Sequence, residues 1–384
     1  MNSRRSLAVA AGFGPRRRAG EGKEPVKEWK KAAEDILSSG DRPLKIFLLG
    51  ALDTGKTTLA AFLANLASAA GLKTAVVDAD LGQSEIGPPG CVGLGLVDGP
   101  VERLRDIRPV YSYFVGSNSP ELLSFTTVTA AKTTLDRALL YGAEVVIIDT
   151  TGLVWGRTAR FLKSTKIELL APTHLVALER ALDLEHLLRP WDLLGSPGMR
   201  VVRVPVSPKA TDRSRHDRRA HREKVYRQYF AGSSGREVDF SKVALFRTTY
   251  LTGRSMDAAQ AEPLARDLRC DVAHAEWLPD GMFVVADGYF DLDGLDRIKE
   301  REGVPEVFLT KAEKFENLLC GLVDRDGILL GVGVLGSVDF RRRKGVVVTP
   351  LDDSAMARVA GIHLGILKVS PSGEEGGKIH PNDI

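Results

Sequence analysis

The chain has 384 residues, 43% of them hydrophobic and 27% charged, an ordinary globular composition with enough length for two domains that each bury a core. A net charge of +3 is too small to argue by itself for a nucleic-acid partner. Cys91, Cys270 and Cys320 are scattered and form no CxxC pair, which excludes a disulfide framework or zinc ribbon and fits a reducing cytoplasm, and no apolar run approaches the roughly 18 residues of a membrane span.

The chain opens on SRRSLAVAAGFGPRRR, in which twin arginines precede an apolar stretch. That stretch is short, and Arg16, Arg17 and Arg18 occupy the place of a cleavage site, so residues 1–40 are expected to be a basic tail ending in a short helix around Trp29 to Leu37. LKIFLLG (44–50) predicts a buried strand, and Leu59, Phe62, Leu63 and Leu66 a helix that Gly71 closes. KTAVVDAD (73–80), EVVIIDT (144–150), HLVALE (174–179) and RVVRVPV (200–206) read as further buried strands with helical patterns between them. Such alternation predicts an α/β fold with a parallel sheet flanked by helices.

After about residue 240 the pattern changes. GLVDRDGILLGVGVLGSVDF (321–340) turns at Asp326-Gly327 as a hairpin, and KGVVVTPL and LGILKVS continue it. The expected division is a first domain over 41–235, a smaller, mainly β domain over 240–370 with a mixed region at its start, and a C-terminal tail over 371–384. DLDGLD (291–296) lacks the acidic spacing of a calcium loop and reads as a solvated turn.

GALDTGKTTL (50–59) carries the first chemistry. Gly50, four residues, then Gly55, Lys56 and Thr57 form GxxxxGK[ST], set between a predicted strand and helix as a phosphate loop requires. Backbone amides along Gly50, Asp53, Thr54, Gly55, Lys56, Thr57 and Thr58 would surround the phosphates of a nucleoside triphosphate at a helix N-terminus. Lys56 would reach the β- and γ-phosphates and Thr57 would ligate Mg²⁺. Asp149, after four apolar residues, and Asp80, at the end of the strand after the loop helix, are the candidate metal carboxylates. Asp80 could also accept a proton from an attacking hydroxyl, whereas Asp78 reads as a strand-end residue. The [NT]KxD guanine signature is missing, which weighs against a GTPase switch.

RSRHDRRAHREKVYRQYF (213–230) follows. Residues 213–227 hold seven Lys or Arg against two acids, and Arg215, Arg218, Arg219 and Arg222 recur at helical steps. A solvated basic face and a lid that delivers arginines to a transferring phosphoryl group fit this spacing equally well.

Taken in order, these segments resemble the RNA 5′-hydroxyl kinases of the Clp and Grc type over roughly residues 41–232. The matching segments are the phosphate loop with its acid at Asp53, DADLGQSEIGPPG (78–90), YFVGSNSP (113–120), TTGLVWG (150–156) and the arginine segment through Tyr229-Phe230. The resemblance implies a P-loop kinase that uses ATP or another nucleoside triphosphate with Mg²⁺ to phosphorylate the 5′-OH of RNA, with DNA as a second candidate acceptor. It implies that Lys56, Asp80, Arg218 and Arg222 are catalytic and that Thr57, Asp80 and Asp149 hold the metal. It also implies that Gln83, Gly116, Ser117, Thr151, Gly152, Arg213 and Arg219 line the nucleic-acid groove. Leu153 stands where the family often has a base-stacking tryptophan, with Trp155 two residues on, which implies weak base discrimination. The competing readings are an ATP-binding scaffold without catalysis and an NTPase switch.

Overall fold

The computed structural model describes residues 27–384, so the expected basic segment lies largely outside the described residues. Helix α1 (Lys27–Leu37) turns Trp29, Ala33 and Ile36 inward at helical spacing, and the Trp29 indole donates to the Pro205 carbonyl at 2.8 Å.

Seven strands build the first sheet: β1 (Leu44–Gly50), β2 (Thr74–Ala79), β3 (Cys91–Leu96), β4 (Pro109–Phe114), β5 (Val145–Thr150), β6 (His174–Glu179) and β7 (Arg200–Pro205). Their order is β4-β3-β2-β5-β1-β6-β7. Helices α1 and α2 (Lys56–Ala69) cover one face, and α3 (Ser124–Leu140), α4 (Gly156–Leu170) and α5 (Glu185–Leu194) the other, with an apolar core on each side. The sheet is parallel from β2 to β7, but β3 and β4 pair antiparallel at its edge. The signal of β3 is thin in the sequence because glycines replace side chains: a Cβ on Gly93 would stand 1.9 Å from the Ile86 carbonyl oxygen that crosses it. The other correction is β7, which is an edge strand with exposed Arg200 and Arg203 and not a buried one.

Helix α6 (Arg215–Tyr229) leads within a few residues to β8 (Ser234–Asp239), already part of a second sheet. There follow β9 (Ala244–Phe246), β10 (Arg254–Ser255), α7 (Ala258–Leu268), β11 (Asp271–Leu278), β12 (Gly281–Asp287), α8 (Gly294–Glu302) and β13 (Val307–Lys311). Then come β14 (Leu318–Val323), β15 (Leu329–Asp339), β16 (Lys344–Thr349), β17 (Gly361–Val369) and β18 (Glu375–Lys378). The second sheet runs β18-β17-β14-β15-β16-β8, with β9 beside β17, and a smaller one runs β10-β11-β12-β13. The hairpin turning at Asp326-Gly327 is β14–β15. The segment expected as a C-terminal tail contributes β18 to the sheet. DLDGLD runs into the first turn of α8, and no cluster suited to a metal occurs among the described residues. No helix among them is long and apolar enough to cross a membrane.

The two halves share a core, in which Cys91 and Phe114 of the first sheet pack with Tyr226 of α6, Phe230 just after it, and Leu319, Val334 and Leu367 of the second sheet. They also meet backbone to backbone. The Gly116 carbonyl accepts from the Ile366 and Leu367 amides, and a Cβ on Gly365 would lie 2.6 Å from that oxygen and 2.8 Å from the Gly116 Cα. Main chain cannot yield as a flexible side chain can. Gly365→Ala should therefore lower the denaturant midpoint by the equivalent of about 1–3 kcal/mol, the usual range for overpacking. Gly198→Ala, in open space, should stay within about 0.5 kcal/mol. Equal midpoints for the two variants would show that the halves do not meet in this way.

Candidate active site

The phosphate loop lies where β1 passes into α2. Gly50 needs its bare Cα because a Cβ there would meet Thr54 Oγ1 at 2.7 Å. Asp53 (φ 57°) and Gly55 (φ 93°) are left-handed, which curls the loop and gathers its amides at the helix start. Thr54 is buried and donates from its hydroxyl to the Ala51 carbonyl, while Thr58 lies exposed on α2. Lys56 is buried with its ammonium donating to the Ala51 carbonyl at 2.7 Å. Burial lowers its pKa, and Asp149, Asp80 and Asp53 oppose that fall.

The ends of β2 and β5 bring the carboxylates to this lysine. Thr57 Oγ1 donates to Asp149 Oδ2 at 2.6 Å. Burial pushes the Asp149 carboxyl up to about 6; Lys56, Thr57 and the Thr150 amide pull it down, and Asp80 adds to the rise. Asp78 is fully buried and accepts from the amides of Asp80, Glu85 and Ile86 and from the Ser84 hydroxyl, so it shapes the loop after β2. Burial and the nearby Asp149 push it up to about 8 against those amide bonds. Asp80 stays partly accessible, and its Oδ1 accepts from the Gly82 amide at 3.0 Å, which orients the Gly82-Gln83 bend.

Sequence reasoning missed Lys163. Its ammonium is fully buried and donates to Thr150 Oγ1 at 2.7 Å and to the Thr151 carbonyl at 2.6 Å, fixing the turn after β5. Burial holds it well below an ordinary lysine. Lys166, one turn on, is also buried, with no hydrogen-bond partner, and burial pulls it down to about 8. The available signal was two lysines at i, i+3 on the same face of α4 as Leu162, Ile167 and Leu170.

The arginine segment divides. Ser214 and Asp217 cap α6 reciprocally. Just before the cap, Arg213 donates to Asp53 through its amide at 3.0 Å and its Nε at 3.1 Å, and Arg218 Nη1 reaches the same carboxylate at 3.0 Å. Asp53, expected among the nucleotide-binding residues, thus receives the arginine segment, and its side chain is only 4% exposed. Arg222 was expected over the phosphates with Arg218. Instead its fork is held by Glu375 of β18, where it borders a small cleft lined by Gln83, Gly90 and His221. Arg219 bonds Glu223 and the Glu375 carbonyl, and Arg215 is exposed.

Four residues expected in a nucleic-acid groove are packed instead. Gly116 is consumed by the Gly365 contact, and its amide donates to the Gly90 carbonyl. Ser117 is buried and bonds the Ser119 backbone. Gly152 lies against the phosphate loop, where a Cβ would meet the Leu52 nitrogen at 2.7 Å. Thr151 is buried with its hydroxyl unpartnered. Gln83 alone of the non-arginine set borders the cleft. Trp155 is exposed and stacks on His186 with ring centroids 4.9 Å apart.

Comparison with known proteins agrees with this geometry. Residues 50–232 match the family model described as the mRNA cleavage and polyadenylation factor CLP1 P-loop. A polyribonucleotide 5′-hydroxyl-kinase of Methanocaldococcus jannaschii is 31% identical over 359 residues, spanning 94% of this chain and 96% of that protein. One of Pyrococcus abyssi is 32% identical over 350 residues, spanning 91% and 94%. The solved structure of Clp1p in a Clp1p–Pcf11p complex superposes with a TM-score of 0.58 at 14% identity, covering 89% of this chain and 79% of that one, which shows the common fold. With relatives similar over nearly their full length and the phosphate loop, DADLGQ bend and arginine helix gathered at one site, the chain belongs to the polyribonucleotide 5′-hydroxyl-kinase family.

Proposed function

We propose that the protein transfers the γ-phosphate of ATP to the 5′-hydroxyl of an RNA strand in the cytoplasm, leaving a 5′-phosphate end and ADP. The observation that carries this reading is the docking of Arg213 and Arg218 on Asp53 of the phosphate loop. A solvated basic helix has no reason to bring two arginines to a buried carboxylate there, whereas phosphoryl transfer needs guanidinium groups beside the γ-phosphate.

The donor set suits Mg²⁺. The Thr57 hydroxyl and Asp149 carboxylate lie 2.6 Å apart, Asp80 acts on the same lysine, and all three offer only oxygen. When bound, Mg²⁺ would neutralise charge on the phosphates. Lys56 would exchange the Ala51 carbonyl for phosphate oxygens, and the loop amides would fix the triphosphate. Asp80, the most accessible of the three aspartates, would orient the 5′-hydroxyl and accept its proton as the oxygen–phosphorus bond forms. Arg218 would stabilise charge on the phosphoryl oxygens, and Arg222, beside Gln83, would face the acceptor strand.

The direct test is transfer of labelled γ-phosphate from ATP to 5′-OH oligoribonucleotides, with oligodeoxyribonucleotides alongside. Hydrolysis of ATP without an acceptor product would reject the reading in favour of an NTPase. Lys56→Ala should weaken nucleotide binding and transfer together, because the ammonium meets phosphate in ground and transition states alike.

Asp80→Asn should keep ATP affinity and lose transfer by on the order of 10²-fold, the scale of a positioned base. Asp149→Asn should instead raise the Mg²⁺ concentration required. If the two phenotypes are exchanged, the roles are reversed.

Arg218→Ala should cut kcat by on the order of 10²-fold with a small change in KM for ATP, since the charge it meets is greatest in the transition state. Arg218→Lys should rescue it poorly, lacking the planar fork. Steady-state kinetics showing less than a twofold loss in both variants would return the segment to a solvated face.

A further inference from the structure

Strand β18 has the sequence EGGK, and its neighbours Gly376, Gly377 and Lys378 are exposed. Glu375 is not, with a side chain only 8% exposed. Its two carboxylate oxygens accept from Arg222, at 2.6 Å from Nε and 2.8 Å from Nη2, and Oε1 also accepts from Asn118 Nδ2 at 2.9 Å. The Glu375 carbonyl accepts from Arg219 Nη2 at 2.6 Å, and its amide donates to Glu223 at 3.2 Å. The rest of the hairpin follows the same line. Gly373 lies against the Arg227 backbone, and Lys378 Nζ donates to Ser119 Oγ at 2.7 Å. Glu375 thus ties the second sheet to both the arginine helix and the loop after β4.

A guanidinium has five N–H donors in one plane. Glu375 takes two, both on the Nε–Nη2 edge, and so fixes the plane. Of the three remaining donors, two form the Nη1–Nη2 edge and the third lies on Nη1 beside Cδ, in a residue that lines the cleft with Gln83, Gly90 and His221. A planar cation with a fixed free edge suits a phosphodiester oxygen. We propose that Glu375 is a positioning residue: it holds Arg222 in the orientation that receives a backbone phosphate of the acceptor strand, so the C-terminal hairpin is part of the substrate site. The inference rests on the kinase reading for its substrate but not for the latch itself.

The test is a double-mutant cycle in the full chain with Glu375→Gln, Arg222→Ala and the pair. KM and kcat are measured for ATP and a 5′-OH oligoribonucleotide, and oligonucleotide affinity by fluorescence anisotropy. Glu375→Gln should raise the oligonucleotide KM and Kd by on the order of tenfold and leave the ATP KM within about twofold. The double variant should be no worse than Arg222→Ala, because each change removes the same contact. Exposed Glu374→Gln should match wild type. If Glu375→Gln does not fold, Glu375→Asp, which keeps the charge but shortens its reach, enters the cycle in its place. Independent, multiplying losses would overturn the proposal, as would tighter RNA binding in Glu375→Gln, which would mean that the carboxylate competes with RNA for Arg222. Should wild type transfer no phosphate, the kinase reading fails, and the anisotropy cycle still decides the latch.

Discussion

Helix α6 is held between two buried carboxylates. Asp53, in the phosphate loop, takes Arg213 and Arg218; Glu375, in the second sheet, takes Arg222. A carboxylate removed from water is costly unless an opposite charge and further donors replace its hydration. Neither acid can therefore lose its arginines cheaply. That constraint turns a run of basic residues, which would otherwise spread into solvent, into an element with a defined place over the phosphate loop. It also divides the arginines between two acids, Arg213 and Arg218 on Asp53 and Arg222 on Glu375.

Around the phosphate loop, burial works against charges of both signs. It raises Asp149 and Asp78 and lowers Lys56 and Lys163, and each group is kept useful by its neighbours. The Thr57 hydroxyl and the Lys56 ammonium restrain Asp149, and amides from the following loop restrain Asp78. Lys163 donates to Thr150 and Thr151 in the turn after β5, and that turn packs against the phosphate loop where Gly152 meets Leu52. Such a site is pre-organised for a charged ligand, because its dipoles are already aimed before the ligand arrives.

The second half of the chain is more than a neighbour. Its strands share a core with α6, its Gly365 backbone rests on Gly116, and its last strand supplies Glu375. The Gly116–Gly365 contact places the 117–120 loop beside the hairpin that carries Glu375, which is how Asn118 comes to share that carboxylate with Arg222. The packing of two glycines therefore bears on the Arg222–Glu375 contact although neither glycine lines the cleft.

The sequence by itself determined what depends on neighbours along the chain. GALDTGKTTL carries its own loop conformation and helix start, VVIID and AVVDAD are apolar runs of strand length, and the cap at Ser214 and Asp217 starts α6. The spacing of Arg215, Arg218, Arg219 and Arg222 marked the right helix, since helical geometry is local. Only the tertiary structure decided what each of those residues faces. Glycine-rich β3 carries a weak strand signal until Ile86 and Ile107 cross its Gly93 and Gly95, and Arg200 and Arg203 show β7 as an edge only once it has a single neighbour. Gly116 and Ser117 enter the groove set by resemblance alone, and the packing of Gly116 on Gly365 and the burial of Ser117 depend on the second half of the chain and the turn's own closure. Asp53 and Glu375 stand 322 positions apart, and Lys163 lies on what reads as an apolar helix face. Such pairings are set by which buried charges find one another when the chain closes, and no local pattern records that.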